Sequence, residues 1–384
     1  MNDFLKIIIF FTILLVFAFL SSKIKLNRKK GSFISYLNIS GISYILLGLL
    51  IGWGFKDIFS GKNLYYISPF LIFLIVYIGF LSGANIILRE LIKYPAKFYV
   101  LIMFYCFISY WTVFYPLSLI NNHLNIGLNT ELIKLLATMS LLSTPFYFYF
   151  FNIKDKTQKS KYFIISGVSN FISLILLGIL FFKNIDIRIS TINIDLTLVI
   201  ILLTLILSLI LYSLLNSKMK IEEIQTITIG ILAFAGGIAV FSNITAISLA
   251  AFLGLSYINL PYRIQEFKLT PHLISFEKPV FIILIIFSVF IPSNYSVNLI
   301  IISLLFLTAR LLSRIFFHYL LKIFGYKSNI LYLFPIGTLA IPFSLSIYFI
   351  LPQTGKTFLA ITIISVLINE TISGLLHKKK EKTL

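Results

Sequence analysis

Charged residues make up only 12% of this 384-residue chain, and acidic ones are few, 13 against 32 lysines and arginines. A soluble domain carries about 25% charged residues, so a water-soluble globule is excluded. The single cysteine, Cys106, excludes a disulfide framework and reads as a small hydrophobe within an apolar run. Four histidines, at 123, 272, 318 and 377, have no spacing that would hold a metal. No glycine-rich phosphate loop occurs, so nucleotide-driven pumping is not encoded and no cofactor is expected. No polar stretch is long enough for a separate soluble domain.

What the chain has instead is apolar sequence. Hydrophobic residues reach 59% and mean hydropathy is +1.00. A membrane-spanning helix needs roughly 20 mostly apolar residues. Windows of that kind fall at 4–22, 34–54, 64–88, 98–120, 131–151, 161–182 and 195–215, then at 224–243, 246–260, 276–291, 297–321, 329–351 and 356–376. They predict an all-α polytopic membrane protein of about thirteen transmembrane helices in a lipid bilayer, expected to be a bacterial cytoplasmic (inner) membrane. The first window is not a cleaved signal, because Lys23, Lys25, Arg28, Lys29 and Lys30 follow it rather than precede it.

The net charge of +19 would suggest nucleic acid in a soluble protein. Here the basic residues cluster between windows, where positive-inside retention puts them, so no nucleic acid partner is expected. Basic clusters follow the odd-numbered windows: Lys154, Lys156, Lys159 and Lys161 follow the fifth, and Lys378, Lys379, Lys380 and Lys382 follow the last. That alternation predicts an outside N-terminus and a cytoplasmic C-terminus, with 377–384 as a short basic tail.

An odd helix count with short loops permits two inverted halves, about 1–190 and 224–376, joined by a linking helix at 195–215, all in one transporter domain spanning 1–384. Helix breakers fall at matching places. Thr144 and Pro145 interrupt the fifth window, and Pro335, Gly337 and Pro342 interrupt the twelfth. Proline frees a carbonyl in the preceding turn, and irregular backbone at membrane depth survives only beside protein or a water-filled cavity. Two such breaks point to a binding site between them.

Several stretches, in order, resemble the Kef-type branch of the monovalent cation:proton antiporters. Gly41 to Gly54 (GISYILLGLLIGWG) is similar to its glycine-rich second helix, and Phe80 to Arg89 (FLSGANIILR) to the end of the third. AAFLGL from Ala250, followed by Pro261 and Arg263, resembles the segment entering the second half. Ile361 to Leu376 (ITIISVLINETISGLL) resembles the last helix, with Asn369 and Glu370. The resemblance implies an inverted-repeat antiporter fold with discontinuous helices five and twelve crossing, a homodimer, and monovalent cations and protons as substrates.

The same register sets Ser169 and Asn170, in GVSNFISLILL, where that family carries its membrane-embedded acidic pair. Neither side chain titrates near neutral pH, so the usual means of proton coupling is missing. The other acids fall in loops or at the ends of windows, and only Glu370 lies well inside one; two turns before Lys378, it reads as a solvated or Lys-paired interfacial residue.

Arg310, Arg314, His318 and Lys322 recur every four residues along one stripe of the eleventh window. If that helix runs the full window, Arg310 lies near the midplane, where a cation is costly and functional. If it ends earlier, the stripe is a snorkelling cytoplasmic cap. The family has a basic residue here that contacts the core acid, and both arginines fit.

The leading expectation is therefore a secondary transporter, not an enzyme, working by alternating access where Thr144, Pro145, Ser169, Asn170 and Ser173 face the breaks. An anion or organic-solute transporter of the same fold, built on Arg310 or Arg314, is the alternative, and a lipid-linked oligosaccharide flippase is a third reading.

Overall fold

The computed structural model describes residues 3–23, 41–54, 61–124, 128–143, 156–182, 196–215, 220–259, 264–292, 295–326, 335–337 and 339–381. Among them are thirteen helices and one helical turn at Leu88–Leu91. The first half holds α1 (Asp3–Lys23), α2 (Ile42–Gly54), α3 (Gly61–Ala84), α4 (Ala96–Leu124), α5 (Thr130–Met139) and α6 (Lys156–Phe182). After α7 (Leu196–Leu215) come α8 (Ile221–Phe241), α9 (Ala246–Asn259), α10 (Ile264–Phe290), α11 (Val297–Ile323), α12 (Ala340–Ile350) and α13 (Pro352–Glu381).

Each window yields one helix because hydrocarbon leaves a backbone no partner but itself. Parts of α3, α4, α6, α8, α10, α11 and α13 are long and apolar enough to cross a membrane by length and composition. Shorter apolar helices lie within α1, α2, α7, α9 and α12. Boundaries moved where polar residues continue a helix past its apolar part. Thus α10 begins at Ile264, not 276, and α13 runs to Glu381 through the lysine cluster.

The closest helix pair is α3 with α9. Gly79 and Gly83, spaced as GxxxG, meet Ala250, Ala251 and Gly254, and small residues on both sides let the backbones touch. A Cβ on Gly83 would sit 1.9 Å from Ala251 O, and one on Gly254 would sit 1.9 Å from Phe80 O.

The fifth helix is short, and both its ends are held by polar groups. Asn121 clamps Leu128, donating to its carbonyl at 3.0 Å and accepting its N–H at 2.8 Å. Asn129 then caps the helix through the Glu131 N–H at 3.2 Å. Helix α5 stops at Met139, ahead of the expected break; Thr144 and Pro145 lie outside the described residues. The residues just past its end join the two apolar clusters, Leu142 packing in the larger and Leu141 in the smaller with Tyr105 and Phe317.

The twelfth window is broken as expected at Pro335–Gly337, which is non-helical and buried. Pro342 does not interrupt it. It sits in the first turn of α12, where the N–H that proline lacks would have no intrahelical acceptor.

Candidate functional site

A helix that ends inside a membrane leaves carbonyls at its C-terminus and N–H groups at its N-terminus without intrahelical partners. The end of α5 presents Ser140 O and Leu142 O. Two arginines from the middle of α11 answer them, and both are fully buried. Arg310 Nη2 donates to Leu142 O at 2.8 Å and to Pro335 O at 3.0 Å. Arg314 Nη2 donates to Ser140 O at 2.8 Å and to Leu142 O at 2.9 Å.

The stoichiometry is complete. Each Nη2 has two hydrogens and uses both, and Leu142 O has two lone pairs and fills both. A cation at a helix C-terminus also opposes the negative end of the helix dipole. The snorkelling-cap reading of these two residues is corrected: α11 continues to Ile323, and Arg310 and Arg314 are both buried inside the protein. Arg310 ties the end of α5 to the break before α12. Arg314 rests on the ring of Tyr105, 4.6 Å from its centroid, with Phe317 packed on that ring. Its Nε and Nη1 are buried and meet no hydrogen-bond partner among the described residues.

The start of α12 is answered by the opposite charge. Gly337 adopts φ +84° and donates its N–H to Glu370 Oε1 at 3.0 Å. Glu370 is completely buried and within electrostatic reach of Arg310. The expectation of an interfacial Glu370 is corrected here. Its distance along α13 from the lysine cluster is as expected, but its face of the helix turns into the core against α12 and α11.

Helix α6 supplies the third side. Asn170 Oδ1 accepts the Ser143 N–H at 2.9 Å, Ser169 Oγ lies 3.1 Å from Ser143 Oγ, and Ser173 Oγ donates to Thr138 O at 2.8 Å. All three α6 residues are buried. Ser169, Asn170 and Ser173 therefore meet the last turn and unwound end of α5, and Asn170 Nδ2 has no partner among the described residues. Arg310, Arg314, Pro335 and Gly337 meet at the same place, and Pro342 lies in the first turn of α12.

Sequence reasoning missed Ser140, Leu142 and Ser143, whose backbone is the centre of the site, and Tyr105 beneath Arg314. No residue-type signal marks a backbone acceptor. The paired arginines four residues apart were the only pointer to it.

The two breaks were expected to hold a binding site between their helix ends. Resident side chains already occupy them, arginines at the carbonyl end and a glutamate at the amide end. The described charges at the crossing are two arginines and one glutamate.

No protein-family model matches the sequence, and no curated protein matches it. Among solved structures the chain is similar to the sodium proton antiporter MjNhaP1 from Methanocaldococcus jannaschii at pH 8, at 14% identity, with a TM-score of 0.64 over 99% of this chain and 98% of that one. Similarity over the full length of both chains shows the fold: this is a membrane protein, helical throughout its regular described elements, with the architecture of that antiporter.

Proposed function

We propose that the chain is a secondary transporter of the monovalent cation:proton antiporter type, Kef-like in sequence, that moves its substrate by alternating access at the crossing of α5 and α12. The observation that carries this reading is the crossing itself. The non-helical residues that follow α5 and those that precede α12 meet there, and Arg310 bonds to both through one nitrogen. A single side chain joining two half-helices lets one rigid bundle move against the other without exposing carbonyls to lipid. In this reading Thr144, Ser169, Asn170 and Ser173 supply neutral oxygens, and the halves 1–190 and 224–376 are inverted about α7. The N-terminus is outside, the C-terminus cytoplasmic, the membrane a bacterial cytoplasmic membrane, and the unit a homodimer.

Proteoliposomes holding a pH-sensitive dye test the reading. An imposed sodium or potassium gradient is expected to drive proton movement in the opposite direction. No movement of either cation, with or without a pH gradient, removes it.

A small anion is the second reading, supported by the excess of arginine over glutamate and by the Nε and Nη1 of Arg314, which have no hydrogen-bond partner among the described residues. Chloride or acetate uptake that is lost in Arg314→Met supports that reading, and uptake of neither counts against it.

A further inference from the structure

Proton-coupled transport needs a group that is charged in one half of the cycle and neutral in the other. Helix α6 has none at the crossing, since Ser169 and Asn170 do not titrate. Helix α13 does. Thr362, Ser365, Asn369 and Ser373 follow one another at three- and four-residue spacing, so they share one face, and Glu370 adjoins that stripe. All five are buried. Polar side chains inside a membrane protein are costly and mark pathways.

Thr362 is held by Phe358 O and Met139 Sδ. The hydroxyls of Ser365 and Ser373 meet no partner among the described residues. Ser373 stands one turn from Glu370 towards the lysine-rich end of the helix.

We propose that Glu370 is the proton-carrying group of this transporter, with the stripe on α13 as its route and Arg310 as the charge through which it controls the crossing. This rests on the transporter reading above. A proton arriving from one aqueous phase bonds to a carboxylate oxygen of Glu370, turning the anion into a neutral acid, and leaves to the opposite phase later in the cycle. While Glu370 is ionised it offsets Arg310, and a cation can enter the crossing. Once it is protonated, both arginines stand unopposed and the cation is expelled. Proton and cation thus compete through net charge, not through a shared ligand.

The helices packed on α13 carry other titratable groups. Helices α12 and α2 carry only Tyr348 and Tyr44. On α5, Glu131 and Lys134 lie in the first two turns, and Lys134 is exposed. On α10, Glu266, Lys268 and His272 lie in its first half and Glu277 and Lys278 at its middle. Helix α11 brings Arg310 and Arg314, with His318 and Lys322 further along. Of these, Arg310 is within electrostatic reach of Glu370.

The test compares full-length wild type, Glu370→Gln and Glu370→Asp in proteoliposomes under sodium and potassium gradients across a range of pH. Gln keeps an oxygen for the Gly337 N–H, so the fold is preserved. Glu370→Gln is expected to reduce cation-driven proton movement at least tenfold, with the remainder independent of pH. Glu370→Asp is expected to keep coupling with a shifted pH midpoint. A Glu370→Gln protein that keeps the wild-type pH profile at any amplitude overturns the proposal, because a structural role alone would lower amplitude and leave the profile in place.

Infrared difference spectra of the purified proteins give a readout that needs no transport. A protonated-carboxyl band that rises with acid in wild type and is missing in Glu370→Gln supports the assignment, and identical spectra overturn it. If wild type moves neither cation, the transporter reading fails while the infrared comparison still decides Glu370.

Discussion

Asn170 and Arg314 grip opposite edges of one peptide group. Asn170 Oδ1 accepts the N–H of Ser143 at 2.9 Å, and Arg314 Nη2 donates to the carbonyl of Leu142, the other half of the same peptide, at 2.9 Å. The carbonyl and N–H of a trans peptide point in opposite directions, so the guanidinium and the amide approach from opposite sides, one from α11 and one from α6. Arg310 adds a second bond to the same carbonyl. The orientation of this peptide thereby sets how three helices sit at the crossing, and a change in any of the three side chains is felt by the other two.

Leu142 O is shared, so the two arginines are not independent. Arg310→Ala leaves Leu142 O its bond from Arg314, and Arg314→Ala leaves the bond from Arg310. Only the double variant orphans that buried carbonyl, at about 1–3 kcal/mol. Repulsion between the two cations works in the same direction, since either single change already relieves it. The double variant is expected to be less stable than the sum of the single variants by about 0.5–3 kcal/mol. Unfolding of the three proteins in one detergent measures this, and additivity within about 0.5 kcal/mol would remove the shared-acceptor account.

Asn170 is a lock in this geometry, and Asp would serve equally well. Asn170→Asp keeps an oxygen for the Ser143 N–H and puts a carboxylate on α6, so we expect a folded protein whose thermal stability responds to sodium or potassium in a pH-dependent way. Asn170→Ala leaves the Ser143 N–H buried without a partner and is expected to cost about 1–3 kcal/mol. Equal stability of the Ala and Asp variants with and without cation would show that the amide oxygen is not what holds the peptide.

The helices were legible because lipid leaves the backbone few options, and the break before α12 was legible because Pro335 and Gly337 change the backbone by themselves. The end of α5 was not. Ser140, Leu141, Leu142 and Ser143 include no breaker, and the helix stops there where donors from α11 and an acceptor from α6 offer its carbonyls and the Ser143 N–H other partners. Glu370 was misread for a related reason. Sequence fixes how far a residue lies along a helix, whereas the face it turns inwards is chosen by packing, here against α12 and α11. The spacing of Arg310 and Arg314 was visible, but its meaning depended on α11 continuing past them.

Gly337 combines a left-handed φ of +84° with the N–H that Glu370 accepts. A side chain in that conformation costs roughly 1–2 kcal/mol, and relaxing it would turn the N–H away from the carboxylate. Gly337→Ala is expected to lower the unfolding temperature and to reduce any pH-dependent transport together, measured on the same preparation. A variant as stable as wild type would show that the break tolerates another conformation.

The contact between α3 and α9 gives a prediction with an internal control. A methyl group on Gly83 or Gly254 would sit 1.9 Å from a backbone oxygen of the facing helix, and backbone cannot swing aside as a side chain does. Gly83→Ala and Gly254→Ala must therefore push the helices apart, at a cost of about 1–3 kcal/mol each or more. Gly230 and Gly237 on α8 have nothing within 4 Å of the same added atom. Alanine there removes only the flexibility of a helical glycine and is expected to be neutral or to stabilise by up to about 1 kcal/mol. Thermal unfolding of the four variants side by side should separate them into two pairs; if Gly83→Ala unfolds with Gly230→Ala, the close approach of α3 and α9 is not what holds this interface together.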